Sequence, residues 1–432
     1  MLHAAVVVVN RRTLRRAIGS TDVFCGGVTA LAVCVIGLAD GGFAPKAQRE
    51  SLLAFALLAA GALVARTRVP LRRRELAMLA ALAAFAAWIA MSKWWSSLPA
   101  AALPESERSL VYVAAVAAVL VGVGTRAVPC VLAGAVAGVT ATSAYGLGDY
   151  LFSRPPLDRF EGRLLFRPLG YANAFGIYAA LGIVLSVGLA LWARTRLERA
   201  IALAPLAILV PTLYLTSSRG AWVALPVGIA VTLYVGRRLR SRVAFGALVI
   251  AGVTAGLFLG SGRGQAISLL GPNRPHYWRV AWQDYEEHPR LGSGAGTYGN
   301  YWINHRPTPE FVHDAHSLYV ESLAELGPIG LALVVLALGL PLACRWDRRG
   351  PAVAVAAGGY VAFLVHAGID WDWEVPAVTV PGLLCGAVLL VATRDPRTPG
   401  SSFRLRAALF GAVLALAVLA LIRLRGGVGL HS

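Results

Sequence analysis

One pattern governs this chain: an apolar run, a short polar joint, then another apolar run, thirteen times over. The runs cover about residues 20–39, 51–65, 76–92, 109–125, 127–149, 171–193, 200–217, 219–236, 243–260, 317–343, 351–368, 377–392 and 405–422. About 20 apolar helical residues cross the hydrocarbon core of a bilayer, so several runs need their flanking residues to span it. In hydrocarbon the backbone must satisfy itself, which leaves helices or closed barrels. No alternating pattern marks barrel strands, and Ala and Gly abound, as they do where membrane helices pack closely. The expected fold is all-α: a polytopic membrane helix bundle of 12–13 transmembrane helices, with a large external loop carrying short interfacial helices.

Composition agrees. Hydrophobic residues make up 57% and charged residues 14% of the 432, against about 25% charge in soluble globular chains. The formal net charge of +18 raises the question of nucleic acid. A nucleic-acid surface gathers its charge on one face, whereas here arginines are scattered between apolar runs, so no nucleic-acid partner is expected. The five cysteines (Cys25, Cys34, Cys130, Cys344, Cys385) lie far apart within or beside apolar runs and form no C-x-x-C pair. They read as small packing residues rather than a disulfide framework.

Arginine placement predicts orientation. With the N-terminus cytoplasmic, the cytoplasmic segments hold 24 of the 40 Lys and Arg residues, and Arg66, Arg68, Arg72, Arg73 and Arg74 crowd one short loop. That is the positive-inside pattern. Arg11, Arg12, Arg15 and Arg16 precede the first run; no small-residue cleavage site follows, so this run reads as an uncleaved helix. The cytoplasmic loops are short basic joints. The polar chemistry collects outside, in residues 93–108, 150–170, 370–374 and the longest stretch, 261–316, which has five of the eight histidines. An active site, if present, faces outward.

Four external motifs carry candidate chemistry. In Ser218-Arg219-Gly220 the turn between two runs is so tight that Arg219 sits at or below the membrane surface. It fits an arginine snorkelling to headgroups and equally a clamp for a lipid-linked phosphate, which the guanidinium fork binds by paired hydrogen bonds. Residues 276–287 read as an interfacial helix, with Trp278 and Trp282 on one face and Arg279 between them. The Gly292–Gly296 stretch follows no strand and makes a weak nucleotide loop; as a tight turn it suits close backbone approach to a substrate.

The third motif, His313-Asp314-Ala315-His316-Ser317, runs into Glu321, Glu325 and Gly327-Pro328-Ile329-Gly330. A histidine titrating near pH 6.5 accepts a hydroxyl proton at neutral pH. A zinc pair from His313 and His316 lacks the H-E-x-x-H pattern and a clear third ligand, and a helix-start histidine with satisfied hydrogen bonds fits as well. The fourth, Asp370-Trp371-Asp372-Trp373-Glu374, interleaves carboxylates with indoles. It suits a sugar-facing surface and equally an interfacial tryptophan anchor.

Taken in order, these elements resemble the O-antigen ligase family, whose domain is shared with O-antigen polymerases and bacterial O-oligosaccharyltransferases. The resemblance rests on Ser218–Gly220, on Arg279-x-x-Trp282 before the Gly-rich turn, and above all on His316-Ser317 followed by nine residues and Gly327-Pro328-Ile329-Gly330. It covers about residues 170–375. It implies a GT-C-like, multi-helical glycosyltransferase in the inner membrane of a bacterium, independent of metals and other cofactors. The partners it implies are an undecaprenyl-diphosphate-linked glycan as donor, a glycan or lipid as acceptor, and membrane lipids.

By that resemblance Arg219 and Arg279 bind the donor diphosphate, with Arg163 and Arg167 as further phosphate contacts. His316 activates or positions the acceptor hydroxyl, and His313, Asp370, Trp371, Asp372 and Trp373 contact the acceptor or line the sugar channel. The chain then divides into N-terminal transmembrane helices (1–170), a catalytic region (171–376) and C-terminal helices (377–432). The same motifs serve polymerases of lipid-linked repeat units and protein O-oligosaccharyltransferases. A polytopic anion transporter is the rival from a different class. It fits the number of spans but not the polar residues on one side only, nor the missing repeat symmetry.

Overall fold

A computed structural model describes residues 19–153, 157–239, 241–260, 273–344, 350–395, 397 and 399–426. Arg11, Arg12, Arg15 and Arg16, and residues 261–272 of the long external loop, lie outside the described residues. In chain order the helices are α1 (Ser20–Leu38), α2 (Pro45–Ala65), α3 (Arg73–Met91), α4 (Ala102–Gly122), α5 (Val128–Phe152) and α6 (Ala172–Leu191). A short α7 (Arg196–Leu203) and α8 (Leu206–Thr216) follow, then α9 (Arg219–Val235) and α10 (Arg242–Gly260). The polar segment contains α11 (Arg274–Glu287) and α12 (Tyr298–His305); α13 (Leu318–Gly339), α14 (Pro351–Ala367), α15 (Pro376–Ala392) and α16 (Phe403–Gly426) complete the order. Among the described residues the only β pairing is an isolated bridge between Asp158 and Gly162.

Each of the thirteen apolar runs falls on a helix, the seventh on the α7–α8 pair. Helices α1, α2, α3, α5, α6, α7–α8, α13 and α16 are long and apolar enough to cross a membrane, and α9, α10, α14 and α15 are shorter apolar helices. Helix α4 differs because Glu105, Glu107 and Arg108 occupy its first turns, the last two of them buried. The protein is a multi-pass membrane helix bundle. One continuous apolar core joins α1 to α6, α8, α9 and α13 to α16, while α11 and α12 pack around a smaller one of their own. Small residues bring backbones together: a Cβ on Gly134 of α5 would lie 2.1 Å from the Gly26 carbonyl of α1, and one on Gly138 2.6 Å from that of Ala30.

The two ends of the bundle differ chemically. At one end arginines cap helix carbonyls that have no intrahelical partner. Arg72 donates to Thr393 O at 2.9 Å, Arg406 to Leu63 O at 2.7 Å and Arg66 O at 2.6 Å, and Arg394 to Leu120 O at 2.6 Å while pairing with buried Glu75 at 2.9 Å. At the other end lie Phe43, Trp371 and the polar segment, with the Phe43 and Trp371 rings 5.9 Å apart. Helix α16 reaches that end, where Glu107 accepts from Arg423 at 2.5 Å and from Arg49 of α2 at 3.0 Å.

Candidate functional site

The Ser218-Arg219-Gly220 step is shaped by backbone geometry. Helix α8 ends at Ser217, which takes a left-handed φ of 50°, and the Ser218 hydroxyl caps α9 by accepting from Ala221 N at 3.3 Å. Arg219 is the first residue of α9 and half-buried, with no hydrogen-bond or ion-pair partner among the described residues. Gly220 packs on the buried His366 so closely that a Cβ would lie 2.8 Å from its Nε2.

Beside Arg219 stands Arg274, the first residue of α11, near enough for the two guanidinium charges to repel. Its Nη2 lies 2.5 Å from Asp370 Oδ2. Asp370 is fully buried and also accepts from Asn173 Nδ2 at 2.8 Å, Tyr171 Oη at 2.9 Å and the Trp371 amide at 2.9 Å. Burial pushes the Asp370 carboxyl up, but Arg274, His316, His366 and the Trp371 N–H together hold it below the ordinary carboxylate value. A cation in the first turn of a helix opposes the helix dipole, so Arg219 and Arg274 both call for nearby negative charge. Asp370 answers for one of the two.

His316 completes the cluster. Its φ of 55° is left-handed, a costly backbone for a non-glycine residue, of the kind that concentrates at functional sites. Ser317 caps α13 through its hydroxyl, accepting from Val320 N at 3.4 Å. His316 Nδ1 lies 3.0 Å from the Asp314 carbonyl oxygen. A carbonyl only accepts, so Nδ1 carries the proton and Nε2 keeps a free lone pair. The ring is half-buried, 4.9 Å from the Tyr277 ring. Burial lowers its pKa, and Arg274 adds to this against the pull of Asp370.

Behind the histidine, carboxylate oxygens of Asp314, Glu321 and Glu374 lie within 4.8 Å of one another. Among the described residues this is the group whose spacing suits a divalent cation. Two of its three members are already engaged: Glu321 accepts from the Ala315 amide at 2.8 Å, and Glu374 pairs with Arg108 at 2.8 Å. Burial and the Glu105 charge push the Asp314 carboxyl up to about 7. The group therefore anchors the loop carrying His316.

The Gly-rich turn is structural too. Ser293 N and Gly294 N donate to the carbonyls of Ala324 and Glu325 at 3.1 and 2.8 Å. The Glu325 carboxylate takes the amides of Gly296 and Tyr298 at 2.9 and 2.8 Å, closing the start of α12. The turn fits because Gly327 interrupts α13 with φ 66° and ψ −172°, and a Cβ there would lie 2.8 Å from Arg290 O.

The remaining expected residues fall in several places. Arg163, Arg167 and Arg279 are exposed, and among the described residues none contacts Arg219, Asp370 or His316. His313 is exposed, its ring edge-on to Phe311 at 4.6 Å. The stretch Asp370–Trp373, read from sequence as a sugar-facing surface, is mostly interior. Asp370, Asp372 and Trp373 are buried, and Trp371 is half-buried and stacked on Tyr171 at 4.7 Å. Asp372 Oδ2 lies 2.9 Å from His366 Nδ1, in contact but out of line for a hydrogen bond. Trp373 sits 5.2 Å from the Arg108 guanidinium. Sequence reasoning did not single out Arg274, Asn173 or Tyr277; the helix-start position of Arg274 was the available signal.

Residues 204–335, from the end of α7 to the middle of α13, match the family model described as O-antigen ligase. Over that stretch, just under a third of the 432 residues, the chain is similar to the O-antigen ligase family. That match contains Arg219, Arg274, Arg279, His316 and Gly327–Gly330, and is shorter than the stretch of about 170–375 over which the sequence resembles the family. Asn173 and Asp370 lie outside the matched residues, and Asp370 reaches them through Arg274. Comparison with curated proteins gives no match.

Proposed function

We propose that this protein moves a glycan from an undecaprenyl-diphosphate carrier to an acceptor hydroxyl, without a metal, at the end of the bundle that holds His316. In this reading that end is the non-cytoplasmic face of a bacterial inner membrane, and residues 171–376 carry the reaction. The observation that carries the proposal is the His316 imidazole. Its Nδ1 is tied to the Asp314 carbonyl and its Nε2 has no partner among the described residues, beside two neighbouring arginines of which Asp370 pairs with one, Arg274.

The chemistry follows from the charges. Arg219 and Arg274 hold the diphosphate, and four helix N-termini (α6, α9, α11 and α13) add positive potential around it. The acceptor oxygen forms its bond to the anomeric carbon as its proton passes to His316 Nε2. The bond from the anomeric carbon to the phosphate oxygen breaks, and the electron pair leaves with the diphosphate, whose growing charge the guanidiniums stabilise. One displacement inverts the anomeric centre. Arg163, Arg167 and Arg279, being exposed, add positive charge along the approach, and exposed His313 stands where it can meet the acceptor.

The test uses proteoliposomes with an undecaprenyl-diphosphate oligosaccharide, an extract of source-cell lipids and glycans, and EDTA. Wild type should release carrier and yield a heavier glycosylated acceptor, while Arg219→Ala and Arg274→Ala should not. The product's mass separates ligation to a lipid or glycan from polymerisation and from protein glycosylation. A folded protein that leaves the donor intact refutes the proposal, and anion flux would then be measured in the same vesicles.

A further inference from the structure

Far from His316, at the arginine end, an apolar cavity of about 590 Å³ opens between α1, α2, α4 and α15. Phe24, Val28, Phe55, Leu58, Gly61 and Val119 are among its walls. Phe24 and Leu58 are exposed at its rim, so the cavity opens to the side of the bundle. A Cβ on Gly61 would meet nothing within 4 Å, which leaves that wall facing open space.

Its depth matches one leaflet. Along α1 the lining runs from Thr21 to Val33, a rise of about 18 Å at roughly 1.5 Å per residue; half of a hydrocarbon core of about 30 Å is about 15 Å. The charged group at its end is Arg66, half-buried where α2 terminates. Arg66 Nη1 donates to Val121 O at 3.3 Å, and no carboxylate among the described residues pairs with it. Arg394 lies near enough to repel it, and Asp22 of α1 near enough to attract it without forming an ion pair. A half-buried arginine at the polar end of a one-leaflet apolar slot asks for a single anionic group joined to an acyl chain. Basic pockets between membrane helices bind anionic headgroups in this way.

We propose that this cleft holds one anionic phospholipid of the bilayer, with an acyl chain between α1, α2 and α4 and its phosphate on Arg66. The site is separate from the glycosyl-transfer site, and its test reads no transfer. The full chain, in detergent, is equilibrated with vesicles of equal dioleoyl-phosphatidylglycerol and dioleoyl-phosphatidylcholine, and retained lipid is counted by native mass spectrometry. One basic contact predicts about a fivefold preference for phosphatidylglycerol. Arg66→Gln should abolish the preference, Arg66→Lys should keep most of it, and Arg68→Gln, an exposed neighbour, should leave it unchanged. Gly61→Trp, or Gly61→Leu if the larger residue prevents folding, should lower retention of both lipids severalfold. The proposal is overturned if Arg66→Gln keeps the preference or the filled cleft retains lipid as wild type does.

Discussion

Arg274 and Asp370 meet at 2.5 Å across 96 residues of sequence, and this ion pair fixes one of two neighbouring guanidiniums while the other, Arg219, has no carboxylate partner among the described residues. The carboxylate's other ligands, Asn173 and Tyr171, lock its orientation. In the proposed reaction Asp370 acts by positioning Arg274.

Asp370→Asn should therefore separate catalysis from binding. Loss of the negative charge leaves the arginine pair more positive, so the donor KM should not rise. Arg274 loses its fixed direction, and kcat should fall by about 10²-fold, the scale for a misaligned stabilising group. Steady-state transfer kinetics check this split; a raised KM with unchanged kcat contradicts it.

The pH profile follows from the buried imidazole. Its folded pKa lies below the free value of about 6.5, so the neutral, proton-accepting form persists as pH falls through 6.5. The acid limb of kcat/KM should lie below 6.5. A limb above 6.5 would mean that carboxylates dominate the site and hold His316 protonated.

Asp314 titrates the other way. Its folded value is raised to about 7, so the folded state favours the protonated acid. The stability this group contributes is fully present below about 3.9, and is lost as pH rises towards 7. Asp314→Asn should gain stability over wild type progressively from pH 4 to 7 and hold that gain above it. Thermal unfolding in detergent across pH 4–8 measures the effect.

Helix α16 is held at its far end by Glu107 between Arg49 and Arg423. Glu107→Gln should cost about 2 kcal/mol, less than the roughly 3–5 of a fully buried pair because Arg423 reaches solvent. Thermal unfolding in detergent should show that loss.

Gly327→Ala tests the clamp between α13 and the Gly-rich turn. The backbone there is open only to glycine, and the added Cβ meets Arg290 O, so the variant should lose about 2–3 kcal/mol. Thermal unfolding should show that loss, and transfer should fall with it because the same turn supports the His316 loop.

The helices were legible in the sequence because apolar length alone decides them in a membrane. The site was legible in part. Ser218, Gly220, Ser317 and Gly327 announce themselves because caps, left-handed turns and close approaches demand those residue types locally, and Arg219 and His316 stand out as ionisable groups at the edges of apolar runs. Arg274 and Arg279 share one short helix but stand five positions apart, so they point about 140° away from each other, and only tertiary packing decides which one faces the bundle. Asp370 was visible as an external carboxylate, but its partner Asn173 lies 197 residues away, a pairing that no periodicity encodes. The Gly-rich turn read as substrate-facing because its true partners, the carbonyls of α13, are distant in sequence.

The most direct measurement of the central claim compares wild type with His316→Ala in donor binding and in single-turnover transfer, at pH 7.5 with EDTA. Binding of the undecaprenyl-diphosphate oligosaccharide should survive within about twofold while the transfer step falls by about 10²–10⁴, the range for loss of a general base. Transfer that proceeds in His316→Ala at the wild-type rate would contradict the account, and donor binding lost in step with transfer would make the imidazole a phosphate ligand instead.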